Sequence, residues 1–252
     1  MLDEIASERP PSGIIAREVA LADGHLLFDD SLIARPDSPF FEPSHWRAQQ
    51  AVIAEPAGRS PVCVFRDQGL ELVLRHYCRG GLAARLSRDR YWWRGLEKSR
   101  PWQEWHLLAD LHQSGLPVPR PVAARVRRHG LFYSADLVTI YLSGTRTLAD
   151  RLRQAALEVS MWRIIGATIH RFHTEGVCHA DLNAHNVLID DQGRVYLIDF
   201  DRGRRGEADP RSRLDNLERL QRSLHKLHAQ LDRFHFTGDD WLALLAGYRG
   251  AD

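Results

Sequence analysis

Strand-like segments lie almost entirely before residue 143 and helix-like segments almost entirely after residue 148, with one helix set among the strands. This segregation restricts the fold more than any other feature. A chain alternating strand and helix would build a parallel sheet, whereas strands first and helices after predict an α+β protein. The strand evidence is local. Pro61 to Arg66 and Leu70 to Tyr77 flank Asp67-Gln68-Gly69, the composition of a hairpin. Pro121 to Val126 and Leu131 to Leu142 are linked by Arg127-Arg128-His129-Gly130. Between these pairs Trp102, Trp105, Leu108, Leu111 and His112 recur at helical spacing and stop at Gly115. From Leu148 the period is helical, as in Met161 to Thr174, where Ile164, Ile165, Thr168, Ile169 and Phe172 are expected on one face. Short strands at Val187 to Ile189 and Val195 to Ile198 enclose a turn at Asp190-Asp191-Gln192-Gly193, and a leucine stripe from Leu214 to Leu231 marks a further helix. The expected division is an N-terminal extension (1–43), a sheet-rich lobe (44–143) and a mostly helical lobe (144–252). The extension is read as irregular, with a short strand or turn at Arg17 to Phe28.

Between the helix ending at Thr174 and the two short strands lies His179-Ala180-Asp181-Leu182-Asn183-Ala184-His185-Asn186, and after them Ile198-Asp199-Phe200-Asp201. The order matches H-x-D-L-x-x-x-N followed by D-F-G, with aspartate in place of the glycine. Phosphoryl transfer needs a carboxylate to orient and deprotonate the acceptor hydroxyl, plus a carboxamide and a second carboxylate to hold Mg²⁺ against nucleotide phosphates. Asp181 fits the first role, Asn186 and Asp199 the others, and the strand–turn–strand between them returns the chain. His179 is expected to hold the loop rather than act as a base. Asp201 either assists the metal or forms a local salt bridge.

Other classes recede on simple grounds. The three cysteines, Cys63, Cys78 and Cys178, show no CxxC or Cys/His spacing, which argues against a zinc site or a disulfide framework. The first residues carry Asp3, Glu4 and Glu8, so no secretory leader is expected. No uncharged apolar run approaches the roughly 18 residues a membrane span needs, so membrane contact is expected to be peripheral.

The stretch HADLNAHNVLIDDQGRVYLIDFDRGRRG, together with RGGLAARLSRDRYWWRGLEKSRPWQEWHLL upstream, resembles the bacterial 3-deoxy-D-manno-octulosonic acid (Kdo) kinases of the lipopolysaccharide kinase group, over roughly Gln50 to Leu220. The resemblance implies a bilobal protein-kinase-like fold, ATP and Mg²⁺. It also implies transfer of the γ-phosphoryl group to a Kdo hydroxyl, usually the 4-hydroxyl, of the Kdo-lipid A precursor at the cytoplasmic face of the inner membrane. Two other readings stay open: a soluble small-molecule kinase of the aminoglycoside or choline type, and a non-catalytic nucleotide-binding scaffold. The intact trio Asp181, Asn186 and Asp199 speaks against the scaffold.

Three departures from the protein-kinase pattern shape the site. Lys98 and Lys226 are the only lysines, so the strand lysine that contacts nucleotide phosphates has no lysine counterpart. Arg75 occupies the equivalent alternating position and offers a fixed cation, unless it simply faces solvent. Its carboxylate partner is expected on the following helix, with Glu104 preferred to Glu97. No glycine-rich G-x-G-x-x-G exists; Ala57-Gly58-Arg59-Ser60 is either its replacement over the phosphates, through Gly58, Arg59 and Ser60, or an ordinary turn. Ala180 stands where protein kinases carry the arginine that reads a phosphorylated activation loop, and no A-P-E follows Asp199, which favours a small or lipid-linked acceptor.

Charge suggests where that acceptor sits. From Arg75 to Arg100 eight basic residues face two acidic ones, a local net of +6 in a chain whose formal net charge is +1. Arg79, Arg85, Arg88, Arg90 and Arg94 are the candidates to grip lipid A phosphates and the Kdo carboxylate, with Tyr91, Trp92 and Trp93 interleaved as at a membrane interface. A solvated face is the competing reading. Nucleic acid is not expected, since the sequence pI of about 7.9 is not that of a nucleic-acid-binding domain, and no protein partner is readable.

Overall fold

The computed structural model describes residues 13–55, 62–78, 89–206 and 209–250. The chain divides into two compact units, one of residues 1–99 and 121–139, the other of residues 100–120 and 140–252.

The first unit is built on an antiparallel sheet of β1 (Ala16–Leu21), β2 (Gly24–Asp29), β3 (Val52–Ala54), β4 (Val62–Asp67), β5 (Leu70–His76), β6 (Tyr91–Trp92), β7 (Pro121–His129) and β8 (Phe132–Ile140). Its order is β1-β2-β7-β8-β5-β4-β3, and β6 pairs with β8. The β4–β5 hairpin turns through Gln68 and Gly69, with φ of 47° and 82°, the two left-handed residues a two-residue turn of matching twist requires. The short strand or turn expected at Arg17 to Phe28 is a full hairpin, β1–β2, which joins the sheet through β7. Its β2 residues Leu26, Leu27 and Phe28 are buried. The short helix α1 (Pro43–Ala48) brings Trp46 onto Phe65, stacked at 4.2 Å.

Two charged side chains inside this sheet are satisfied by each other. Arg125 on β7 donates from Nε to Asp136 on β8 (2.8 Å) and from Nη2 to Glu42 (3.0 Å). Asp136 in turn meets the His76 ring on β5 at 2.6 Å. That hydrogen bond holds the His76 imidazole above its ordinary pKa.

The second unit contains α2 (Arg100–Gln113), β9 (Thr145–Thr147), α3 (Leu148–Gln154), α4 (Val159–Thr174), β10 (Val177–Cys178), β11 (Val187–Asp190), β12 (Val195–Leu197), β13 (Arg204–Arg205), α5 (Pro210–Gln230) and α6 (Gly238–Arg249). On α4 the buried face is Trp162, Ile165, Ile169 and Phe172, while Ile164 points out. Two consecutive positions lie about 100° apart on a helix, so Ile164 and Ile165 cannot share a narrow stripe. On α5 Leu217, Leu220 and Leu224 are buried but Leu214, on the second turn, is exposed.

The helix α6 escaped the reading of the sequence, although Thr237 and Asp240 form a reciprocal capping box at its start. It packs backbone to backbone on α4. A methyl group at Gly166 would lie 2.0 Å from the Leu244 carbonyl, and one at Gly247 would lie 2.1 Å from that of Arg163. No helix among the described residues is long and apolar enough to cross a membrane. The α+β class, with antiparallel strands in the N-terminal part and helices in the C-terminal part, is the one the segregated pattern predicts.

Candidate active site

The residues of the two half-motifs converge within the second unit, held by a histidine that takes no exposed position. From β10 the chain enters the loop 179–186, runs through the hairpin of β11 and β12 in the register Val187↔Leu197, and reaches Asp199. His179 is 3% exposed and its ring is clamped at both nitrogens. Nε2 lies 2.8 Å from the Ile198 carbonyl, and the Asp181 N–H donates to Nδ1 at 3.0 Å. Those partners require one proton, on Nε2. Burial pushes the imidazole pKa down, which keeps the ring in that neutral tautomer. The ring also lies against Phe200, centroids 4.7 Å apart. One imidazole therefore ties the peptide of Asp181 to the residue before Asp199.

Asparagines complete the loop. The Asn186 Nδ2 donates to the Asp181 carbonyl (2.9 Å), and Asn183 Nδ2 reaches the same carbonyl (3.0 Å) and the Asp181 Oδ2 (3.2 Å). The Ile198 N–H donates to the Asn186 carbonyl at 3.1 Å, a second tie between the loop and the strand end. Asn186 is buried and Asp181 exposed. With its amide nitrogen committed, Asn186 keeps Oδ1 as an oxygen donor. Asp199 adopts φ 65°, a left-handed conformation that costs a non-glycine residue about 1–3 kcal/mol and persists only where neighbours enforce it.

Asp201, read as a metal assistant or a local salt bridge, makes the salt bridge. Arg100, the first residue of α2, donates from Nε to its Oδ1 at 2.8 Å and from Nη2 to its Oδ2. This bidentate fork fastens the segment two residues beyond Asp199 to α2.

One contributor went unread. Asn216 on α5 accepts the His179 N–H through Oδ1 at 2.8 Å, and the His173 Nε2 approaches the same oxygen at 3.5 Å. The His173 Nδ1 meets the Tyr248 hydroxyl on α6 at 2.7 Å. Burial pushes the His173 pKa down to about 4. The signal was present: Asn216 is a polar residue at i, i+4, i+8 with buried Leu220 and Leu224, and a polar group there needs a partner.

The remaining candidates are placed as follows. Arg75 lies on β5 in the sheet unit, its Nη2 3.2 Å from the Tyr77 hydroxyl and its guanidinium 4.8 Å from the Tyr77 ring centre. Glu104 lies on α2 in the helical unit and is buried. Arg90 and Arg94 are exposed beside β6. Gly58, Arg59, Ser60, Arg79, Arg85 and Arg88 lie outside the described residues.

Comparison with known proteins extends this geometry. The model of the lipopolysaccharide kinase (Kdo/WaaP) family matches residues 43–248. The chain is similar to a protein of Photobacterium profundum named 3-deoxy-D-manno-octulosonic acid kinase, 40% identical over 237 residues, covering 93% of this chain and 99% of the relative. A protein of the same name from Vibrio vulnificus is 37% identical over 223 residues, covering 88% and 94%. A third, from Stenotrophomonas maltophilia, is 42% identical over 207 residues, covering 82% of each chain.

Proposed function

The chain belongs to the lipopolysaccharide kinase (Kdo/WaaP) family, and from that premise we propose that it transfers the γ-phosphoryl group of ATP to a hydroxyl of Kdo. The acceptor in this reading is the 4-hydroxyl of the Kdo-lipid A precursor, met at the cytoplasmic face of the inner membrane by peripheral contact. The observation that carries the proposal is the His179 clamp, which gathers Asp181, Asn186 and the Ile198 peptide beside Asp199.

Asp181 is the group that orients the acceptor hydroxyl and takes its proton as the phosphorus–oxygen bond forms. Its peptide is held by His179, Asn183 and Asn186, and its exposed carboxylate accepts from Asn183 Nδ2, which leaves it open to an incoming hydroxyl. The donor set fits the metal the family implies. Asn186 Oδ1 and the Asp199 carboxylate are oxygen ligands of the kind a hard divalent cation takes, and when bound the cation would neutralise phosphate charge. Arg75 in the first unit and Glu104 in the second are each proposed as nucleotide-site residues, Arg75 as the phosphate-contacting cation. His179 moves no proton, because a ring clamped neutral at both nitrogens is a positioning group.

Mass spectrometry of a Kdo-lipid A precursor incubated with the protein and MgATP tests the reading. A gain of one phosphate on Kdo is expected. Asp181→Ala should lower the rate about 10²–10⁴-fold, the share of a general base, and wild-type turnover in that variant overturns the assignment. No gain on Kdo-lipid A, with phosphorylation of a water-soluble alcohol instead, moves the acceptor to a small molecule.

A further inference from the structure

Strand pairing assembles a surface that the sequence keeps about forty residues apart, near positions 92 and 131. β6 pairs with β8 as Tyr91↔Tyr133 and Trp92↔Phe132, and the Trp93 N–H donates to the Leu131 carbonyl at 2.9 Å. Alternation turns Tyr91 and Tyr133 inward, where both are buried, and leaves Trp92 outside. Trp92 is 53% exposed, the only one of the chain's seven tryptophans in the exposed class. Leu131, at the tip of the β7–β8 hairpin, is 63% exposed. Phe132 meets Trp92 edge to face at 5.3 Å.

Arginines frame this apolar tip. Arg90, Arg94 and Arg128 are exposed, and the Arg128 guanidinium lies 5.5 Å from the Trp93 ring centre. Neither Arg90 to Leu96 nor Val122 to Ala135 contains an acidic residue. Asp89, just before Arg90, is turned to His76 at 3.6 Å.

We infer that the tip formed by Trp92, Leu131 and Phe132, with Arg90, Arg94 and Arg128 around it, docks on an anionic lipid surface. The inference deepens the proposed function and rests on its lipid-linked acceptor for its purpose. The composition selects the occupant. Arginine forks match phosphate headgroups, an amphipathic tryptophan settles at the headgroup level, and a leucine at a hairpin tip gains only where its neighbourhood is apolar. A duplex or other polyanion would use the arginines but gain nothing from Leu131. The tip therefore adds a salt-insensitive share to an electrostatic share that salt screens.

Sedimentation of the full chain with vesicles of phosphatidylcholine, alone or mixed with phosphatidylglycerol, tests this without nucleotide or acceptor. Binding is expected to the mixed vesicles. Trp92→Ser and Leu131→Ser should each weaken it by about three- to tenfold, compared at a temperature where each variant is fully folded. Arg90→Ser with Arg128→Ser should remove the preference for phosphatidylglycerol. The inference is overturned if the parent sediments with neither vesicle, or if the Trp92 and Leu131 variants bind as it does. It is also overturned if a DNA duplex displaces the vesicles and binds independently of Leu131. Because these vesicles contain no Kdo, failure here leaves the kinase reading standing, and failure of phosphoryl transfer leaves this result standing.

Discussion

Separating the fork between Arg100 and Asp201 is expected to cost turnover beyond its cost in stability. The two side chains are 19% and 22% exposed, so the pair is sheltered but not dry. At about 4 Å between charge centres and an effective dielectric constant near 20, the attraction is about 4 kcal/mol. Desolvation and side-chain ordering offset part of it, and hydrogen bonds to charged groups retain about 1.5–3 kcal/mol. The coupling energy should therefore fall at about 1–3 kcal/mol, measured by a double-mutant cycle of Arg100→Gln, Asp201→Asn and the double variant. Either single change, at a cost of about 1–3 kcal/mol, should lower the melting midpoint by about 2–12 °C, at about 2–4 °C per kcal/mol for a chain of this size. The functional consequence follows from position. Asp199 holds φ 65° two residues before Asp201, and releasing the fork frees that strained backbone to relax. A loss of about 2 kcal/mol from the competent arrangement corresponds to roughly 30-fold in its equilibrium. The assay is kcat together with the apparent Mg²⁺ requirement, below the melting transition. An increased Mg²⁺ requirement, less than additive in the double variant, is the expected result. If stability falls while kcat and Mg²⁺ requirement stay at wild-type values, or if the single changes simply add, the fork does not position Asp199.

Two further outcomes follow from the buried polar chain behind the loop. Asn216→Ala leaves the His179 N–H without its 2.8 Å acceptor, an unsatisfied buried donor worth about 1–3 kcal/mol, and should lower kcat more than it raises KM for ATP; unchanged kcat would show that the loop does not need that anchor. His173, with a folded pKa of about 4 against an ordinary 6.5, binds fewer protons folded than unfolded, so it contributes stability above pH 6.5 that drains as pH falls towards 4. About 3 kcal/mol is the ceiling for that window, and His173→Gln should flatten the urea-measured stability between pH 6.5 and 4, whereas an unaltered slope would assign the acid sensitivity elsewhere.

The legible part of this protein was the part written locally. The hairpin at Asp67-Gln68-Gly69 announces itself because two left-handed residues must sit between strands, and the motif order from His179 to Asp201 because its spacing is fixed by one short excursion of chain. What stayed hidden depends on partners remote in sequence. Arg125 lies within the strand-like Pro121 to Val126, and nothing local pairs it with Asp136 and Glu42. The β1–β2 hairpin was legible only as a short strand or turn at Arg17 to Phe28, and its place in the sheet is decided by pairing with β7. Asn216 was visible as a polar residue in an apolar stripe, yet its purpose required His179 to arrive from 37 residues away. Asp201 illustrates the limit most clearly: its chemistry admits a metal or an arginine, and the arginine it meets lies 101 residues away.

That contact bears on how the site is switched on. In protein kinases the residue beside the catalytic aspartate is an arginine, charged and unsatisfied until a phosphorylated segment arrives. Here the position is Ala180, which has no charge to wait for. The loop is held instead by groups that need no modification: a histidine kept neutral by burial, an asparagine on α5, and an arginine whose carboxylate is supplied by the chain itself at Asp201. An Arg–Asp fork made within the chain gives this segment charge-assisted bonds of the kind a phosphate would otherwise add. Turnover should then be governed by meeting the acceptor rather than by covalent activation, which is the economy suited to an enzyme whose proposed acceptor is confined to a lipid surface.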